Sequence, residues 1–412
     1  MKRPWRRSAR AYPLEHQILL TATLCLMAGG AVMVYSASSA RTLLEGTGDG
    51  STYLVKYLMY GAMGLVIMQV MARRGLALAQ RFGPLLLVVS FVLLVAVKVP
   101  GLGVEVNGAK RWLGAGPLQF QPSEIAKLAL VLYAASLLAG KPRRLRTLKG
   151  IVSPLLLVVG VAVLLIASQP DLGTVLVIGF TICAMLVAAG APMRHLGTLV
   201  ACAAGLVALF AILEPYRRAR LTTFLDPWAD ASGAGFQAVQ GQIALGSGGL
   251  FGLGPGQSVQ KIFYLPEAHT DFILAVIGEE LGVVGVTVLM FLYGMIAYGG
   301  LRAAKAAKTA YAQLVAAGIT SLILSQALLN TFTVLGLAPL TGVPLPFVSA
   351  GSTSITVLLA GMGLLLNIAS GRHTHLRAVP SGSRDEPSDR HRRGGHRGAR
   401  GARAGGRRRA TG

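Results

Sequence analysis

The sequence predicts an all-α polytopic membrane protein of about ten transmembrane helices with two large outer loops. Three observations carry this prediction. Of 412 residues, 53% are hydrophobic and only 13% are charged, against roughly 25% in a soluble domain; the mean hydropathy is +0.60. Ten apolar runs approach the roughly 20 residues that cross a bilayer. They lie near 16–36, 53–72, 83–100, 123–140, 151–168, 172–190, 196–213, 271–297, 312–336 and 351–371. Charge supplies the third observation. With loops assigned to alternate sides, the four on one side carry 12 Lys/Arg and no acids. The five on the other carry 7, with nine acids once Asp171 and Asp271 are included. The positive-inside rule then puts the basic loops and both basic termini in the cytoplasm, and the span number is even. The net charge of +23 therefore reports membrane topology, and nucleic acid is not an expected partner.

Taken in order, residues 1–14 form a basic cytoplasmic N-terminus. Its five basic residues in MKRPWRRSAR resemble a signal-peptide n-region. The apolar run that follows extends to about 20 residues without a clear cleavage site, so it is read as a retained first span. Residues 15–371 make up the membrane domain, and its large outer loops are 101–122 and 214–270. Cys25, Cys183 and Cys202 fall inside spans and are expected to be small buried residues, with no disulfide or metal framework. The tail, 372–412, holds 12 Arg and three acids among Gly, Ser and Ala. Too little apolar surface is present to order it, and its charge suits anionic lipid head groups or a cytoplasmic partner.

The chemistry-bearing residues cluster at the outer ends of spans. In QPSEIAK, 121–127, Pro122 suits the first helical position and Glu124 the first turn. Lys127 lies three residues after Glu124 on the same helix face. A lysine one turn inside a span needs a carboxylate partner or a watery cavity, and both Glu124 and Asp271 are candidate partners. Asp271 opens its span behind Glu267 and His269. Glu279 and Glu280 follow within it, about 12–14 Å deeper if the helix is continuous. An acid there costs about 2.5–3.5 kcal/mol on insertion scales. Glu280 is expected to satisfy a neighbouring helix end or Ser/Thr hydroxyls, and Glu279 is left open. The stretch GSGGLFGLGPG, 246–256, is either a flexible loop or a set of amides for a phosphate; it lacks the P-loop Lys and the strand–helix context of a dinucleotide fingerprint. Arg217, Arg218 and Arg220 are better anion candidates. No Ser–His–Asp arrangement and no zinc spacing stands out. Residue by residue, this describes an outward-facing polar site for an anionic lipid or solute.

At these residues the sequence resembles the shape, elongation, division and sporulation (SEDS) family. The matching blocks are NGAKRWLGAGPLQFQPSEIAKLAL, QPDLGT, YRRARLTTFLDPWAD, IALGSGGLFGLGPGQSVQKIFYLPEAHTDFILAVIGEELG and GVPLPF. They cover roughly 15–371 and look most like the division branch, with the elongation and sporulation branches next. The resemblance implies a ten-span peptidoglycan glycosyltransferase that polymerises lipid II at the outer face of the cytoplasmic membrane, at the division septum. It implies a class B penicillin-binding protein, a transpeptidase, as partner; the basic tail would meet other division proteins or membrane lipids. The family's essential Asp falls on Asp271, its lysine on Lys127 with Glu124 beside it, and its loop tryptophan on Trp112. Arg111, Gln121, Ser123, Glu267 and His269 stand in the same blocks and, with Arg217 and Arg220, complete the expected substrate-binding set. The implied reaction is inverting, with Asp271 as general base and undecaprenyl diphosphate as leaving group. No cofactor is evident, and Mg2+ or Mn2+ is an option for the diphosphate. Where the family reads SYGGS, this chain has Ser349, Ala350, Gly351 and Ser352. Two other functions compete: a lipid II flippase, for which Glu279, Glu280 and Lys98 would mark a path, and a non-catalytic scaffold for the transpeptidase.

Overall fold

Backbone amides in so apolar a chain must find partners within their own segment, and helices satisfy that requirement. The structure, a computed structural model, describes residues 12–44, 50–106, 109–115, 118–140, 147–213, 223–262 and 264–371. The expectations for residues 1–11 and the tail lie outside them. Helices α1 (Leu14–Leu44), α2 (Thr52–Ala96) and α3 (Pro122–Gly140) come first. After α4 (Leu148–Ile151) and a π-helical turn kinked at Ser153 come α5 (Leu157–Ala167), α6 (Leu172–Ala188) and α7 (Met193–Leu213). The last are α8 (Phe236–Ser247), α9 (Ile273–Ala306), α10 (Ala310–Val334) and α11 (Ser352–Ala369). Among the described residues, six helices are long and apolar enough to cross a membrane, and two shorter apolar helices accompany them.

Helix α2 takes up two of the apolar runs expected from sequence, 53–72 and 83–100. Its 45 residues would reach about 67 Å if straight, twice the roughly 30 Å of a hydrocarbon core. Its neighbours show that it folds back. Tyr60, Gly64, Met68 and Ala72 follow Thr356, Leu359, Gly363 and Asn367 of α11 in parallel. Leu94 is then back at the starting end, its carbonyl accepting from Gln169. A straight helix would separate Tyr60 from Leu94 by about 50 Å. Short polar links through Thr356, Thr353, Gln121, Asp171 and Gln169 bridge them instead.

The expected outer loop 101–122 is not irregular. It forms an antiparallel sheet of β1 (Gly103–Val106), β2 (Ala109–Ala115) and β3 (Leu118–Phe120) in that order. Val104 pairs with Trp112, and Leu113 with Phe120. Tyr60 donates to the Gln119 carbonyl and ties the sheet to the bundle.

The second departure from expectation is in α9, which is not one helix. Gly282 has φ 65° and ψ −163°, a conformation essentially reserved for glycine. Residues 273–281 therefore form a short rod, separate from the long span after Gly282. This corrects the reading of Glu279 and Glu280 as deep in a span. Glu280 bonds Ser36, near the end of α1 that lies with the sheet, so the rod stays at the same end as Asp271. The cysteines also differ: Cys25 and Cys202 are exposed and Cys183 half-exposed, because these helices turn one face away from the protein.

A β-carbon on Gly282 would collide with the Gly252 amide as well as sit at a forbidden φ. Gly282→Ala is therefore expected to destabilise the protein by about 2 kcal/mol or more, read as a lower melting temperature in detergent. Gly246→Ala, on α8 with nothing within 4 Å, should leave it unchanged or raise it slightly.

Candidate active site

Asp271 sits at the end of a turn closed on one carbonyl. Glu267 has φ 55°, and its carbonyl accepts from the amides of Thr270 at 3.1 Å and Phe272 at 3.4 Å. The Thr270 hydroxyl lies 2.9 Å from Glu267 Oε2 and 3.2 Å from Asp271 Oδ1. One hydroxyl hydrogen serves only one of them at a time, so two carboxylates share a donor at the mouth of the site. Asp271 is half-exposed, as a group that must meet a substrate requires.

Four elements clasp this turn. From α10, the Asn330 side-chain amide donates to the Asp271 carbonyl at 2.6 Å and to the Val343 carbonyl at 2.8 Å. From the segment before α11, the Ala350 amide donates to the His269 carbonyl at 3.0 Å. The buried His269 ring packs on Tyr53 of α2 at 4.1 Å. Gln237 of α8 donates to the Pro266 carbonyl at 3.4 Å. In the stretch that departs from SYGGS, the Ser349 hydroxyl accepts from the Leu345 amide at 2.8 Å, so backbone and hydroxyl do the holding there. Gly342, at φ 66°, faces Asp271; a β-carbon there would lie 3.7 Å from Oδ2.

The second group is at the start of α3. Lys127 Nζ donates to Glu124 Oε1 at 2.8 Å, with Lys127 2% exposed. Of the two partners the sequence left open, the structure pairs Lys127 with Glu124; among the described residues it makes no ion pair with Asp271. Gln121 and Ser123 donate to Asp171 Oδ2 at 3.0 and 3.4 Å, and Asp171 Oδ1 caps α6 by accepting from Thr174. Asp171 was not foreseen as part of the site, although an acid just before an apolar helix is an N-cap signal. Gly173 presses against Thr341 and Val343. The α6 start and the Asp271 turn thus pack on one segment, 341–343. Arg111 donates to the carbonyls of Gln169 and Pro170, which fixes the sheet to the turn before α6. Trp112 is half-buried in that sheet. Arg217, Arg218 and Arg220 lie outside the described residues. A cation not singled out from the sequence is the exposed Lys56, 5.7 Å above the Tyr53 ring.

Glu279 and Glu280 take the structural role expected for Glu280. Glu279 accepts from the Ser258 hydroxyl and from the amides of Val259 at 2.9 Å and Gln260 at 3.4 Å. Glu280 accepts from Ser36, from the Gly256 amide at 3.0 Å and from Lys261 at 2.7 Å. The glycine-rich stretch is therefore neither loose nor a phosphate cradle. Its Leu253 and Gly254 amides donate to the carbonyls of Glu279 and Glu280, and Gly248 and Gly252 abut the rod too closely for any β-carbon. Among the described residues no group of His, Cys, Asp and Glu could hold a metal ion on its own.

Removing Asn330 takes a donor from the buried Val343 carbonyl and from the partly buried Asp271 carbonyl. Asn330→Ala is expected to cost about 1–3 kcal/mol, measurable as a fall in melting temperature in detergent.

A family profile described as FtsW, RodA and SpoVE cell cycle protein matches residues 16–374. Stage V sporulation protein E of Bacillus subtilis is 40% identical over 357 residues, covering 85% of this chain and 96% of that protein. A protein named probable peptidoglycan glycosyltransferase FtsW, from Thioalkalivibrio sulfidiphilus, is 42% identical over 371 residues, covering 88% and 90%. Among solved structures, a chain of a peptidoglycan synthase complex that coordinates polymerization and crosslinking superposes with TM-score 0.71 at 32% identity, covering 89% and 99%. The rod shape determining protein RodA of Thermus thermophilus gives 0.60 at 29% identity, covering 89% and 99%.

Proposed function

This chain belongs to the FtsW, RodA and SpoVE family, and we propose that it is a peptidoglycan glycosyltransferase polymerising lipid II at the outer face of the cytoplasmic membrane during septal wall synthesis. The observation that carries the reading is Asp271: a half-exposed carboxylate on a turn clasped by four elements, at the sheet-bearing end of the bundle. In the proposed topology, ten passes put that end outside and both termini in the cytoplasm.

Asp271 acts as general base. It takes the proton from the 4-hydroxyl of the acceptor sugar as that oxygen attacks the anomeric carbon of the donor. The bond to undecaprenyl diphosphate breaks in the same displacement, so an α-linked donor gives a β-linked polymer without a covalent enzyme intermediate. Glu267 shares the Thr270 hydroxyl with Asp271. Positive charge for the departing diphosphate comes from exposed cations such as Lys56, with Arg217 and Arg220 as further candidates. Mg2+ or Mn2+, where it takes part, would be held by the diphosphate oxygens together with these rim carboxylates. Lys127 and Glu124 support the floor of the site through the start of α3. The partner is a class B penicillin-binding protein that cross-links the product, in keeping with the solved complex that coordinates the two activities.

Transport is the weaker reading. A flippase path needs polar groups free to meet a passing head group, but Glu279 and Glu280 are spent on the 256–261 loop. Lys98 lies exposed in the turn after α2.

With purified protein, a transpeptidase partner and labelled lipid II, wild type should form glycan chains on a gel. Asp271→Ala should reduce the rate by at least about 100-fold, with melting temperature and partner binding retained. Polymerisation by Asp271→Ala at the wild-type rate would rule out the proposed base and return flipping or scaffolding to consideration.

A further inference from the structure

The rod 273–281 carries Asp271 two residues before its first turn and Glu280 at its far end. Glu280 has 0% exposure and Lys261 5%. Every polar atom of the pair is satisfied. Lys261 donates to Glu280 Oε1 at 2.7 Å, to the Gly256 carbonyl at 2.8 Å and to Ser36 Oγ at 3.0 Å, which uses all three ammonium hydrogens. The Ser36 hydroxyl in turn lies 2.7 and 2.8 Å from the two Glu280 oxygens. The cation also stands at the C-terminal end of the rod, where the helix dipole favours it.

A buried ion pair is weak evidence of stability, since apolar residues of similar volume often serve as well. Hydrogen bonds differ from apolar packing in having direction. These bonds fix how the rod is rotated and where it stands against α1, and Gly282 uncouples the rod from the span that follows. At the other end, Asn330 of α10 donates to the Asp271 carbonyl at 2.6 Å, and Asp271 joins the rod through Phe272 alone, so the set of the rod bears directly on where the carboxylate lies.

We propose that Ser36, Lys261 and Glu280 are positioning residues: their buried network sets the rod against α1 and thereby places the Asp271 carboxylate for proton transfer. This rests on the glycosyl-transfer reading. A network that acts only in folding would be replaceable by packing, whereas one that positions Asp271 would not.

The test compares the full-length wild type with Lys261→Met, Glu280→Gln, the double variant Lys261→Met/Glu280→Met, and Ser36→Ala. Each is assayed for melting temperature in detergent and for kcat and KM with lipid II and the transpeptidase partner. The single changes in the pair should lower both stability and rate. The double variant should regain the wild-type melting temperature yet keep kcat about tenfold or more below wild type, with KM within about twofold, as a small misplacement of a reacting group predicts. Ser36→Ala should lower kcat about threefold at unchanged melting temperature, and it decides the matter if the double variant does not fold. Recovery of kcat together with stability in the double variant, or a wild-type kcat in Ser36→Ala, would overturn the inference while leaving polymerisation by the wild type intact. Absence of polymer from wild type would instead remove the reading on which the inference rests.

Discussion

An ionised carboxylate enclosed among apolar side chains must find donors close by or give up its charge. Two adjacent ones, Glu279 and Glu280, stand at 1% and 0% exposure in this bundle, and much of the architecture around the site follows from satisfying them. Apart from Ser36 of α1, the donors come from the segment just before the rod: Gly256, Ser258, Val259, Gln260 and Lys261. For that segment to reach back, its backbone must lie directly on the rod, which explains why Gly248 and Gly252 have no room for a side chain. The same crowding falls on Gly282, where the helix turns away. The break produces a short rod, and the rod presents Asp271 at its opposite end.

The site divides the labour of its charged groups in a consistent way. Groups that hold shape are buried and paired: Lys127 with Glu124, Asp171 with Gln121, Ser123 and Thr174, and Lys261 with Glu280. Asp271 and Glu267 are only partly buried, and Lys56 nearby is exposed. An enzyme acting on a lipid-linked diphosphate at a membrane surface needs this split. Rigid, satisfied groups fix the geometry, and a few accessible charges meet the substrate.

The apolar runs were legible because length and hydropathy suffice to find them, and the start of α3 was legible because Pro122 and Glu124 are local signals. Asp271 stood out through its motif and through its place at the edge of an apolar run. What could not be read depends on contacts far apart in sequence. The reversal inside α2 was legible in the separate runs 53–72 and 83–100; what sequence did not show is that the chain stays helical between them, with Pro84 inside the helix. The placement of Glu279 and Glu280 failed because a continuous helix was assumed, and a single glycine in an apolar run does not reveal a positive φ. Lys127 had two carboxylates in reach on sequence grounds, and only coordinates could choose between them. The sheet was passed over because membrane context dominated the reading of 101–122, and β2, AKRWLGA, shows no clean alternation to signal a strand.

The central claim is that Asp271 is an accessible carboxylate on the outer side of the membrane. It is tested most directly by replacing Cys25, Cys183 and Cys202, introducing Asp271→Cys, and exposing right-side-out membrane vesicles to a membrane-impermeant thiol reagent. The account predicts modification from outside, slowed when lipid II is present. Modification only after the membrane is permeabilised would contradict it.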